Sequence, residues 1–425
     1  MTVLMVILLL LGLAALGVPL IVSVAGSVAV YIALEGEWML SYPQQVIAGM
    51  DGFILLAMPL FILAGVVMNS GGISTRIFEF ARALVGPLPG GLAQVNVLTS
   101  VFFGGMVGTS VADLAGTGSV VIPQMKRNGY PASFSAAVTA SSSGIGPLLP
   151  PSSPMILYSA VTGTSLGALF LAGIIPGVLL AVVLMILVAV QSKRHGWGSV
   201  QHFRLREVLR TLRGSILAFG TPLIIVGGLT LGVFTPTESG AFAVIYAVVV
   251  AMFVYRSLSL RRLYRALVSS AVLTGEVMLI VGVSVALGAA LSRAGVPQAL
   301  SRLITSMAPD GSQIVVLLML AAICLIAGML LDPLIPVIMP VLLPTLLIAE
   351  IDLIQFGVIA VLTVVIGQVT PPVAMSLVVA GKIGKVDAWD VFRANTPFLV
   401  ATLGLLALVI MLPGLSTWLP SLLGS

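Results

Sequence analysis

Nine stretches of this chain run for about 20 residues with hardly a charged side chain, near 3–33, 44–69, 131–158, 164–190, 215–234, 238–255, 266–291, 353–380 and 395–417. About 20 mostly apolar residues suffice to cross a hydrocarbon core, so the chain is expected to be an all-α polytopic membrane protein. Composition agrees: 59% of the 425 residues are hydrophobic and 8% charged, whereas soluble domains carry roughly a quarter charged residues. The net charge of +5 gathers in short loops, where basic residues set topology rather than bind nucleic acid. The basic stretch 193–213 is therefore expected on the cytoplasmic side, and so is 255–265. The region 215–255 must then cross twice, with 234–240 as its outer turn. Residues 1–26 lack a basic leader region, and their apolar run is too long for a signal peptide, so 3–33 is expected to be a retained first span. Segments 71–87 and 380–393 have the amphipathic pattern of helices lying in the interface plane.

Two further apolar regions, 92–125 and 313–345, are too long for one crossing and are interrupted by glycine, proline and small polar residues. Each is expected to fold back as a re-entrant helical hairpin, which is tolerated at membrane depth only where protein or a cavity surrounds it. Each is followed by a span broken at a Pro-Pro pair. GPLLPPSSPMILY begins at Gly146 and GQVTPPVAMSLVV at Gly367, and Pro150-Pro151 and Pro371-Pro372 both stand four residues after their glycine. Asp113 precedes Pro150 by 37 positions and Asp332 precedes Pro371 by 39. Paired interruptions at corresponding places in two halves point to a transporter's binding site. A helix broken there frees carbonyl oxygens, which with Ser and Thr hydroxyls suit Na⁺, and the positive ends of its half-helices suit an anion. The first cation site is expected between Gly108, Thr109 and Ser110 at the hairpin tip and Ser141, Ser142, Ser143, Gly144 and Pro147 at the break. The second is expected between Gly328 and Asp332 at its tip and Thr363, Gly367 and Thr370. Substrate would lie between them, against Ser110, Asp113, Pro150, Ser152 and Pro371.

Acids at membrane depth cost a few kcal/mol and are functional candidates by default. Asp113 and Asp332 read either as functional groups or as caps and ion-pair partners of the fold. Glu238 in TPTESG reads as a helix cap. Glu276 interrupts an apolar run and has Arg265, Lys126 or another subunit as candidate partners. Arg293 is placed to snorkel. The run Ser141–Ser143 reads as cation ligands or as a small-residue packing face. One cysteine, Cys324, excludes an intramolecular disulfide and a cysteine-rich metal site. The two histidines, His195 and His202, sit in the most basic loop and read as solvated surface. With no histidine in the apolar runs, and no HExxH, GxSxG or Walker motif, neither enzyme chemistry nor ATP as energy source is expected.

The run GTSVADLAGTGSVVIPQMKRNGYPASFSAAVTASSSGIGPLLPPSSPMILY (108–158), with DPLIPVIMPVLLP (332–344) and GQVTPPVAMSLVVAGKIG (367–384), resembles the large membrane subunit of tripartite ATP-independent periplasmic (TRAP) transporters. The likeness runs essentially end to end. It implies an inverted-repeat elevator-type transporter with two re-entrant helical hairpins and two broken transmembrane helices. It also implies Na⁺-coupled import of organic acids into a bacterium across its inner membrane. The implied partners are a small four-helix membrane subunit and a periplasmic substrate-binding protein, with no cofactor besides Na⁺ as coupling ion. C4-dicarboxylates, keto acids and sugar acids such as sialic acid all fit such a site. The expected units are scaffold helices in 1–91, a first transport repeat in 92–190, the basic loop and further scaffold in 191–312, a second repeat in 313–394 and a C-terminal helix in 395–425. The length points to an unfused subunit, since fusion needs roughly four more spans of about 20 residues each. Two departures stand out: the tip reads Gly108-Thr109-Ser110 where a serine-rich tip is usual, and a hydroxyl directly before Pro-Pro is present only in the second half, at Thr370. A stand-alone ion-coupled anion transporter of similar architecture remains open, as does an ion channel built on the same hairpins.

Overall fold

The computed structural model describes residues 2–35, 41–198, 203–307, 312–331 and 333–422, and among these every regular element is a helix. The N-terminal run is two helices rather than the single span expected. α1 (Thr2–Ala15) and α2 (Leu20–Glu35) pack on each other. Gly17 takes φ +80° between them and Pro19 follows, and proline cannot donate into a continuing helix. The next run is broken too, into α3 (Ser41–Met50) and α4 (Ala57–Ser70) around a 3₁₀ turn at Phe53–Leu56. The segment 71–87 holds α5 (Ile73–Val85), an amphipathic helix.

Both hairpins and both broken helices are present. α6 (Gly91–Val107) and α7 (Ser110–Arg127) form the first hairpin, turning at Gly108 with φ +67°. α8 (Ala132–Ser143) and α9 (Ser153–Thr162) are the halves of the first broken helix, with a 3₁₀ turn at Gly146–Leu148 between them. A 30-residue helix, α10 (Leu166–His195), follows. The second half of the basic stretch folds as an amphipathic helix, α11 (Leu205–Ser215). α12 (Gly220–Thr230) and α13 (Pro236–Val249) then pack side by side around a short turn. There Thr235 and Glu238 form a reciprocal capping box, as read for Glu238.

The 34-residue α14 (Leu260–Arg293) leads through α15 (Val296–Met307) to the second hairpin, α16 (Gln313–Gly328) and α17 (Ile335–Ile348). The second broken helix is α18 (Leu353–Gln368) and α19 (Met375–Gly384), followed by α20 (Ala388–Met411) and α21 (Gly414–Leu422). The segment 380–393 is therefore not one interfacial helix. α19 ends at a left-handed Lys385 with φ 55°, and Asp387 starts α20 by accepting a hydrogen bond from the Trp389 amide at 2.8 Å.

The halves of the broken helices are the centre of the molecule. Phe134–Ser143 of α8 and Gln355–Gln368 of α18 are buried along their whole length. α10 closes over the first break: a Cβ on Gly173 would lie 2.2 Å from the Leu148 carbonyl oxygen. Backbone cannot yield there as a flexible side-chain tip does, so Gly173→Val is expected to destabilise by about 3 kcal/mol, the upper end for overpacking. A Cβ on Gly227 of α12 would have nothing within 4 Å, so Gly227→Val serves as control. Thermal midpoints of the purified variants decide it, and equal midpoints would show that α10 does not hold the break.

Candidate functional site

Each hairpin tip sits on the break of the helix that follows it. At the first junction, the Ser153 amide donates to the Gly108 carbonyl at 3.2 Å. A Cβ on Gly108 would lie 2.2 Å from the Pro151 carbonyl oxygen, and one on Gly104 2.5 Å from the Gly146 Cα. Only glycine permits backbone to meet backbone at that separation. Both Pro-Pro bonds are cis. At the second junction, a Cβ on Gly367 would meet the Gly328 carbonyl oxygen at 2.3 Å. The spacing that placed Gly108 opposite the first break and Gly328 opposite Gly367 is thus realised.

The hydroxyls expected at the first site point to different neighbours. Ser142 accepts from Ser100 of α6 at 3.1 Å. Ser141 donates to Asn395 of α20, and Ser143 donates to the Ala140 carbonyl within its own helix at 2.8 Å. Ser152 caps α9: its hydroxyl accepts from the Met155 amide at 3.3 Å and donates to the Pro147 carbonyl. Pro147 and Pro150 are buried in the same turn, and Gly144 packs against Val365. Thr109 is the extended residue ahead of α7. Asp113, in the first turn of α7, is fully buried. The Thr117 hydroxyl donates to its Oδ1 at 3.0 Å. Its Oδ2 and the Ser110 hydroxyl have no hydrogen-bond partner among the described residues. Buried polar atoms are normally paired, so these two oxygens at the start of α7 have capacity for a partner that the described residues do not supply.

At the second site, Thr363 within α18 and Thr370 just past its end donate to carbonyls of α18, Ala360 at 2.7 Å and Ile366 at 2.6 Å. A hydroxyl that donates inward keeps its lone pairs for another partner. Asp332 lies outside the described residues, as does His202. His195 is exposed and stacks on Trp197 with centroids 4.4 Å apart. The halves differ in access. The first break is buried throughout, whereas Pro371 is half-buried and Pro372 and Val373 are exposed. A cleft of about 250 Å³ opens beside them, between Gly328–Leu331, Val373–Met375 and the α1–α2 turn at Gly17–Leu20. Sequence reasoning missed that wall, although the Gly17–Pro19 interruption is its signal. It also missed Asn96 and Ser100, polar residues one turn apart on α6; Asn96 donates to Thr139 of α8 at 2.7 Å.

The half-helices that start at these junctions are mostly uncapped. Among the described residues no side chain caps α7, α17 or α19, whereas Ser152 caps its half-helix, α9. Uncapped amides at a helix N-terminus are a ready site for negative charge. The two repeats also hold each other. α8 packs with α19 and α9 with α18, Lys126 donates to the Gly384 carbonyl at 2.7 Å, and Tyr158 donates to the Leu353 carbonyl at 2.7 Å.

Known proteins share this arrangement of sequence and fold. Residues 4–415 match the family model described as tripartite ATP-independent periplasmic transporter, DctM component. The sialic acid TRAP transporter large permease protein SiaM of Vibrio cholerae is 36% identical over 97% of this chain and 97% of its own. The C4-dicarboxylate TRAP transporter large permease protein DctM of Pseudomonas aeruginosa is 35% identical over 88% of each. The fold is shared with the YdaH transporter of Alcanivorax borkumensis at a TM-score of 0.60 and 14% identity, over 88% of this chain and 87% of that one.

Tyr158→Phe removes the hydroxyl that joins the first broken helix to the start of the second. It is expected to lower stability by about 1 kcal/mol, the net worth of one such bond. An unchanged thermal midpoint would remove this bond from the forces joining the repeats.

Proposed function

Because the chain belongs to the DctM component family of tripartite ATP-independent periplasmic transporters, we propose that it is the large permease subunit of a Na⁺-coupled importer of organic acids in a bacterial inner membrane. A periplasmic binding protein delivers the acid, and a small membrane subunit completes the membrane part. The observation that carries this reading is the pair of hairpin-on-break junctions, whose half-helices α7, α17 and α19 begin without side-chain caps among the described residues. Such ends attract a carboxylate, while freed carbonyls and hydroxyl lone pairs favour a cation. Relatives named for sialic acid and C4-dicarboxylates point to carboxylate substrates.

In this reading the first Na⁺ sits by Ser110 and Asp113, whose orphaned oxygens it satisfies. The second sits by Thr363 and Thr370 with the carbonyls near Gly328 and Gly367. Neutralising the site's cations and anion together lets it cross the membrane, because an unpaired charge in hydrocarbon is costly. The interlocked repeats would move as one body against the remaining helices. The bonds of Lys126 and Tyr158 support that, since each ties one repeat to the other.

Uptake of labelled organic acids into proteoliposomes tests it, with the small subunit and binding protein present and an inward Na⁺ gradient imposed or omitted. Uptake that needs both Na⁺ and the binding protein is the expected result, and uptake indifferent to Na⁺ would overturn the coupling. Thr370→Ala is expected to raise the half-saturating Na⁺ concentration roughly tenfold, equivalent to about 1.4 kcal/mol. An unchanged Na⁺ response in that variant would place the second cation elsewhere.

A further inference from the structure

Glu276 stands near the middle of α14, 16 positions after Leu260 and 17 before Arg293. At 1.5 Å per residue those distances are about 24 Å and about 26 Å. The hydrocarbon core is about 30 Å thick. Arg261, Arg262 and Arg265 fix the polar edge of the helix on one side, and Arg265 lies about 16 Å from Glu276 along the axis. Glu276 is thus close to the bilayer midplane, and too far along the helix to pair with Arg265.

The side chain is exposed, and it makes no ion pair or hydrogen bond among the described residues. Lys126, the other candidate partner, is engaged with the Gly384 carbonyl. Around Glu276 the helix presents Val268, Val272 and Leu279, all exposed. Ala271 and Gly275 are exposed as well, four residues apart, and nothing lies within 4 Å of a Cβ placed at Gly275. Small residues at that spacing let a second helix approach closely. A carboxylate facing lipid at midplane costs about 2.5–3.5 kcal/mol on insertion scales, so this face is built to be covered.

A second copy of this chain does not serve. A two-fold contact through this face would set Glu276 near its own symmetry mate, and like charges repel. In any other pairing the partner must offer a cation at midplane. Among the described residues the other long apolar spans, Phe53–Ser70, Leu166–His195, Leu205–Thr230, Pro236–Val254 and Ala388–Met411, carry Lys and Arg only toward one end, at Lys193, Arg194, Arg206, Arg210, Arg213 and Arg393, or none. The occupant is therefore another polypeptide with a mid-span basic residue. We propose that the Ala271–Gly275–Glu276 face of α14 docks a transmembrane helix of the small membrane subunit, pairing Glu276 with a Lys or Arg on that helix. The inference rests on the reading of this chain as part of a three-component transporter.

The test uses the full-length chain co-expressed with its cognate small membrane subunit. A photo-crosslinking amino acid is placed at Val272, and at Ile186 on the exposed side of α10 as control. Crosslinking to the small subunit from position 272 and not from 186 is expected. Glu276→Lys is expected to cut co-purification of the small subunit at least tenfold, with partial rescue when the partner's basic residue is changed to Glu. The thermal midpoint of the large subunit purified alone should be unchanged in Glu276→Lys, because no partner is present there. Undiminished co-purification in Glu276→Lys, or crosslinks from 272 to lipid or a second copy only, would overturn the docking face while leaving the three-component reading intact. Failure of the unsubstituted chain to capture the small subunit at all would overturn both.

Discussion

A helix interrupted in a membrane leaves amides and carbonyls with no water to turn to, and every part of this molecule's centre answers that constraint. The answer here is a hairpin tip laid on the break, backbone against backbone. Gly104 against Gly146, Gly108 against Pro151 and Gly328 against Gly367 are approaches that a single methyl group would block. The Ser153–Gly108 bond satisfies one pair of freed groups directly. What the junctions leave over is the polar chemistry of the site: uncapped half-helix ends, inward-donating threonines and the orphaned oxygens of Ser110 and Asp113.

The two halves use the same device unequally. α10 crosses the first break so closely that the Gly173 position admits no side chain, and the whole turn is buried. The second break has no such lid along Pro371–Val373, and it faces the cleft beside the α1–α2 turn. Sequence symmetry decides where the breaks fall, but the neighbours beside them differ, α10 at the first and the α1–α2 turn at the second. A difference in access between two similar junctions follows from that.

The repeat was legible because its signals are local: glycine, Pro-Pro and small polar residues at matched spacing have no role in an unbroken span. The capping box at Thr235 and Glu238 was legible for the same reason. Long-range pairing was not. Nothing near Ser141 announces Asn395, 254 positions away, and nothing near Tyr158 announces Leu353. The expectation of one span over 3–33 gave weight to continuous hydropathy and too little to Gly17 and Pro19, which split it. Ser152 looked like a substrate ligand by position, yet its hydroxyl is engaged in capping α9.

The placement of the rare acids makes the division of labour physical. Asp113, in the first turn of α7, is fully buried and its Oδ1 accepts from Thr117. Glu276 lies on the outer face of α14 with no partner among the described residues. Each is too expensive at membrane depth to be incidental, and each is relieved by something the chain itself does not supply. For Asp113, in the transport reading proposed above, that is a ligand that comes and goes, and a carboxylate held by the Thr117 hydroxyl rather than locked in an ion pair suits such a role. For Glu276 it is a group that stays, on a face whose Ala271 and Gly275 allow the close, lasting contact of another helix. In these readings burial separates a charge kept for transit from a charge kept for assembly, and the same cost of desolvation underlies both.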